Sequence, residues 1–115
     1  MSELYNLKQL EELSGGDKVF ILEIIKVFLS DVPKQLEEIN YAYNQNKYKE
    51  LALKAHKLKP SIDLLNIKDI AEDIRTIEAN ASKEIKQDDL PKLIGNVESV
   101  LNRVINNLKN DFNLL

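Results

Sequence analysis

Histidine occurs once in this chain, as His56, in the run Leu51-Ala-Leu-Lys-Ala-His56-Lys-Leu-Lys-Pro60-Ser61-Ile-Asp-Leu-Leu65. At about 100° per residue, Leu51, Ala55, Leu58, Ile62 and Leu65 share one apolar stripe. His56 points more than about 100° from the centre of that stripe, with Ala52, Lys59, Pro60 and Asp63 on the same flank. An imidazole presented to water on a stiff helix is a nucleophile that another protein can reach. A free imidazole, with pKa about 6.5, is roughly three-quarters neutral at pH 7. Phosphoryl transfer needs such a group, open to in-line approach, and needs no deep pocket if the partner brings the rest of the site. Lys59, at i+3, is placed to offset the charge of a phosphoryl group on the ring. Ala52, at i−4, leaves room above the ring. Lys57 points to another side of the helix and contributes long-range electrostatics only.

Charge is distributed unevenly around this residue. The formal net charge is −3, yet Lys47 to Lys59 holds five lysines (47, 49, 54, 57 and 59) and one carboxylate, Glu50. The acidic residues lie elsewhere, at Glu11, Glu12, Glu37, Glu38, Asp69, Glu72, Asp73, Asp88 and Asp89. An acidic protein with one basic strip is poorly suited to duplex DNA and better suited to an acidic protein surface or a phosphoryl group. The plainer reading of those lysines is that they solvate one helix face.

Other chemistries find little support. Cysteine is absent, so there is neither a disulfide framework nor a thiolate metal site. No His-x-x-x-His or Glu-x-x-His pair exists to build a zinc centre. Hydrolase chemistry would need an acid–base pair oriented on His56. The sequence suggests none, because Asp63 lies two turns away, where it either pairs with Lys59 at i+4 or is simply hydrated. There is no glycine-rich nucleotide loop.

The elements that must hold the site are helical nearly throughout. Asn6 caps a short piece, Leu7 to Leu13, which Ser14-Gly15-Gly16 ends. Asp17 caps a long helix with Phe20, Ile21, Ile24, Ile25, Phe28, Leu29, Val32, Leu36 and Ile39 at helical periods, ending at Asn44-Gln45-Asn46. Pro33 predicts a kink or restart near Asp31. A third helix spans about Lys47 to Leu65, a fourth about Asn66 to Ser82, and a fifth runs from Asp88 or Asp89 to about Asp111. Pro91 falls in the first turn of the last, where proline is tolerated. Short connections pack consecutive helices antiparallel. The expected fold is all-α: an up-down-up-down four-helix bundle with a short extra N-terminal helix, one domain over residues 1–115. No apolar run reaches membrane-spanning length. The N-terminus lacks the basic and apolar regions of a signal peptide, so a cytoplasmic location is expected.

The second helix carries more apolar surface than one seam uses. Phe20, Ile24 and Val27 widen its stripe. Phe20 at least is expected beneath the N-terminal helix. The others either pack there too, or part of the edge, with Leu53 and Leu64 near the histidine, forms an apolar docking patch.

Ala55-His56-Lys57-Leu58-Lys59-Pro60-Ser61 resembles the signature of the histidine phosphotransfer (HPt) domain. Members of that family usually read His, any residue, Leu, Lys, Gly, Ser on one helix of a four-helix bundle. The likeness extends to the preceding apolar helix with its internal proline, and to Ile77-Glu78 near the family's usual Leu-Glu. The resemblance implies a phosphorelay intermediate with His56 as phosphoacceptor and Lys59 as charge stabiliser. Response-regulator receiver domains, alone or in a hybrid histidine kinase, would be its partners, and the receiver would supply Mg²⁺. The chain would have no cofactor and no kinase activity of its own. Ala52, Leu53, Lys57, Pro60, Asp63 and Leu64 would contact the partner. Nucleic acid and membrane are not expected partners, and a monomer is the simplest state.

One position departs from the family pattern. Pro60 stands where a glycine is usual. Its ring crowds the carbonyl of His56 and it brings no N–H, which predicts a bend near residues 56–60 rather than a fresh helix start. Two alternatives stay open: a phosphorylation-independent helical adaptor whose transfer is impaired by Pro60, and a piece of a larger sensor kinase. A stand-alone chain is the expectation.

Overall fold

The computed structural model describes residues 4–83 and 89–114, and every regular element in them is a helix. The helices are α1 (Lys8–Ser14), α2 (Lys18–Asn44), α3 (Tyr48–Leu64), α4 (Lys68–Ser82) and α5 (Leu90–Asp111). Among the described residues there is no strand. The expected start of the last helix at Asp88 lies outside the described residues.

Local chemistry sets the ends of these helices. The Lys8 N–H donates to Asn6 Oδ1 at 2.7 Å. Val19 and Phe20 N–H donate to Asp17 Oδ1 at 3.0 and 3.2 Å, satisfying donors that the first turn of a helix leaves free. Four C-termini close by one device: a left-handed residue, then an N–H that bonds back five residues. The left-handed positions are Gly15, Asn46, Asn66 and Asn113, with φ of 65°, 57°, 50° and 55°. The closing bonds run from Gly16 to Glu11, Lys47 to Ala42, Ile67 to Ile62 and Leu114 to Lys109, at 2.8–3.0 Å. Asparagine tolerates this backbone because its short polar side chain bonds locally. Asn66 is therefore the turn after α3 rather than the start of the next helix, and α4 begins at Lys68.

Proline does not break α2 or α3, which carry it in their interiors. α2 runs unbroken through Pro33, so no restart occurs near Asp31. Val32 and Leu36 beside it are buried and hold the segment to the core. α3 likewise continues through Pro60 to Leu64.

One contiguous core joins all five helices. Leu51, Ala55, Leu58, Ile62 and Leu65 are fully buried, as are Ile70, Ile74, Ile77 and Ala81 on the facing side of α4. Each large aliphatic side chain buried in this way contributes about 1.5–3 kcal/mol. No polar or charged residue is buried among those described. Neighbouring pairs are α2 with α3, α3 with α4, α4 with α5 and α5 with α2, while α1 lies against α2. Leu10 anchors α1 in the core. Phe20, expected beneath that helix, instead remains 44% exposed. Ahead of α1, the Asn6 N–H donates to the Leu65 carbonyl at 2.8 Å, and the Tyr5 hydroxyl donates to Asp111.

Candidate functional site

The α3–α4 seam places three side chains in mutual contact. His56 Nδ1 lies 2.7 Å from Glu78 Oε2, and Lys59 Nζ lies 2.7 Å from Glu78 Oε1. The His56 side chain is 64% exposed, whereas Lys59 and Glu78 are each 25% exposed. Position follows from packing. Ala55 and Leu58 bracket the histidine and are fully buried, and Ile77 and Ala81 do the same around Glu78. With those anchors in the core, His56 faces outward from α3 and Glu78 lies at the edge where the two helices meet.

The ionised carboxylate accepts hydrogen bonds and donates none, so in a neutral His56 the contacting Nδ1 carries the proton. The lone pair is then on Nε2, the other ring nitrogen. Lys59, donating to Oε1, is the main cause that holds the Glu78 carboxyl below the usual carboxylate range. Partial burial opposes it, and the bond to His56 adds to the lowering. Glu78 thus stays ionised at neutral pH, tied to a cation on one oxygen and to the imidazole on the other.

This contact corrects the expectation that nothing orients His56. The orienting acid comes from the next helix, not from Asp63. Nor does Asp63 pair with Lys59: its Oδ2 accepts from Arg75 Nη2 at 2.7 Å, and Arg75 also donates to the Ala71 carbonyl. Lys59 meanwhile is turned toward Glu78. The contacts His56–Glu78 and Asp63–Arg75, 22 and 12 residues apart, converge on the Asn66 turn as in a helical hairpin. That convergence was the available signal for Glu78. Folding the two helices back on each other at Asn66 brings residue 78 level with residue 56. Arg75 was not anticipated.

The other flank residues separate into two groups. Ala52 and Leu53 line a groove of about 520 Å³ together with Lys49, His56, Glu78 and Ser82. Ala52 is buried and forms its floor, while Leu53 is well exposed. Lys57 and Pro60 are exposed but do not line this groove, and Leu64 is half-buried against the core. Among the described residues, no group of three or more His, Cys, Asp and Glu side chains is arranged to hold a metal ion. No described helix is long and apolar enough to cross a membrane.

A family model described as the Hpt domain matches residues 23–111, from the second turn of α2 to the end of α5. Comparison with curated proteins and with solved structures returned no match.

Proposed function

This chain belongs to the Hpt domain family, phosphocarrier modules of two-component signalling rather than kinases, and from that premise we propose that His56 accepts a phosphoryl group from one receiver aspartate and passes it to another. The observation that carries this reading is an open imidazole whose Nδ1 is held 2.7 Å from an ionised carboxylate. In the forward step Nε2 attacks the phosphorus of the aspartyl phosphate. The N–P bond forms, the O–P bond breaks and the aspartate leaves as a carboxylate. The Nδ1 proton stays on the ring, bonded to Glu78, so the positive charge that develops on the imidazole faces a fixed negative group. In the return step the same proton lets the ring depart as neutral imidazole. Lys59 takes the role of charge stabiliser by turning from Glu78 Oε1 to the phosphoryl oxygens. Mg²⁺ belongs to the receiver, where it would neutralise charge on the transferring group.

The reading extends to architecture and setting. The four long helices form an up-down-up-down antiparallel bundle, and residues 1–115 form one domain that works as a cytoplasmic monomer. Receiver domains, free or within a hybrid histidine kinase, are the partners, and nucleic acid is not. The partner meets Ala52, Leu53 and the flank beyond them, which includes Lys57, Pro60, Asp63 and Leu64. Incubation with a phosphorylated receiver should leave an acid-labile, alkali-stable label on the protein. A label that survives His56→Gln would reject His56 as acceptor. Absence of label from every receiver tried would favour the adaptor reading, with Pro60 as the first residue to revert to glycine.

A further inference from the structure

The five lysines between Lys47 and Lys59 differ in what they touch. Lys54 Nζ is bound to Glu38 at 3.0 Å, and Lys59 Nζ to Glu78 at 2.7 Å. Lys47 Nζ stands 5.5 Å over the Tyr41 ring. Lys49 and Lys57 make no ion pair among the described residues. Of these two, only Lys49 lines the groove that contains His56. It sits seven residues before the histidine on the same stripe of α3, about 10 Å away along the axis.

The rest of that groove has little left to offer an anion. Glu78 is itself an anion and can only accept hydrogen bonds, and the Ser82 hydroxyl donates to the Ala79 carbonyl at 3.0 Å. Ala52 and Leu53 supply apolar surface between the two ends. Among the described residues lining the groove, the Lys49 ammonium is therefore the donor with unused capacity, at the far end of an apolar trough from the nucleophile.

We propose that Lys49 is a specificity-determining residue, which takes an acidic side chain of the receiver about two helical turns along α3 from the phosphoaspartate while an apolar side chain of the receiver lies on Ala52 and Leu53. This rests on the phosphotransfer reading. A receiver with a carboxylate at that distance gains a charge-assisted contact as the groove loses water. A receiver with a neutral or basic residue there leaves the ammonium unpaired or opposed, which discriminates against it. Lys57 lies outside the groove and takes no part in this contact.

The test uses the chain of residues 1–115 and a phosphorylated receiver that labels the wild type. Lys49→Glu should raise KM for that receiver about tenfold, Lys49→Ala about threefold, and Lys49→Arg should stay near wild type. The rate at saturation should change by less than about twofold in each, because the lysine is remote from the reacting atoms. Lys26→Glu alters net charge equally from an exposed position on α2, and should leave KM within about twofold. The glutamate variant should fold normally, since an acid in the first turn of α3 suits the helix dipole. Equal KM changes at residues 49 and 26 would overturn the proposal in favour of long-range charge. A loss confined to the saturated rate would also overturn it. If no receiver labels the wild type, the phosphotransfer reading itself fails and this proposal falls with it.

Discussion

Two Lys–Glu bridges flank α3, one on each side, and they differ in length, in exposure and in what the second carboxylate oxygen does. Toward α2, Lys54 meets Glu38 at 3.0 Å, with the glutamate side chain half exposed. Toward α4, Lys59 meets Glu78 at 2.7 Å, with that glutamate three-quarters covered. Glu38 uses one oxygen for its lysine, whereas the second oxygen of Glu78 addresses an imidazole. The first bridge ties two helices. The second also reaches Nδ1 of His56, and under the proposed phosphotransfer it sets which ring nitrogen is left to react. An ordinary inter-helix contact thus acquires a chemical role when its carboxylate gains a second partner able to react.

That contrast can be broken most completely at the imidazole. His56→Gln should abolish label transfer from a phosphorylated receiver while leaving the helical circular dichroism unchanged. Next in size, Glu78→Gln keeps the shape but offers Nδ1 an amide in place of a carboxylate. Transfer measured in single turnovers should fall about ten- to a hundredfold, the scale of a lost orienting interaction. Wild-type rates in that variant would reduce the α4 bridge to the status of the α2 bridge. A smaller loss, about fivefold, should follow Lys59→Ala, since a partly exposed charge pair is worth up to about 1 kcal/mol. Lys54→Ala should cost a similar or smaller stability in urea titration and leave transfer unchanged. Equal effects of the two alanines on transfer would erase the distinction between the seams.

Acid sharpens the comparison by the least amount. The folded Glu78 carboxyl is held below its ordinary value. Its stabilising contribution is therefore fully present above the unfolded value of about 4.3 and is lost as pH falls through the lower folded value. Denaturation of wild type and Glu78→Gln from pH 7 to pH 3 should show a gap that narrows only below about pH 4.

Much of this was legible in the chain. The apolar stripe Leu51, Ala55, Leu58, Ile62 and Leu65 follows helical period, and every member is buried. Asp17 and Asn6 read as caps because the first turn of a helix needs acceptors. Asn66 was misread as a helix start because asparagine suits both a cap and a left-handed turn, and only the backbone closure to Ile62 decides. At Pro33 the restart that a missing N–H allows does not occur, and Val32 and Leu36 on either side are buried. Glu78 entered only by resemblance, because a residue on another helix becomes a neighbour through tertiary packing. The lysines illustrate the same limit. Composition counts five, and folding determines which of them lines the groove beside the histidine without an ion pair among the described residues.

The short segment ahead of α2 has a practical consequence for anyone trimming this protein. The family match opens at residue 23, but a fragment cut there would lose the Asp17 cap, vacate the site that Leu10 fills, and drop the Asn6 bond to Leu65. That bond fastens the hairpin turn from which His56 and Glu78 diverge. A thermal melt of residues 23–115 beside the whole chain should show a lower midpoint, so the boundary useful for expression lies upstream of the one that similarity marks.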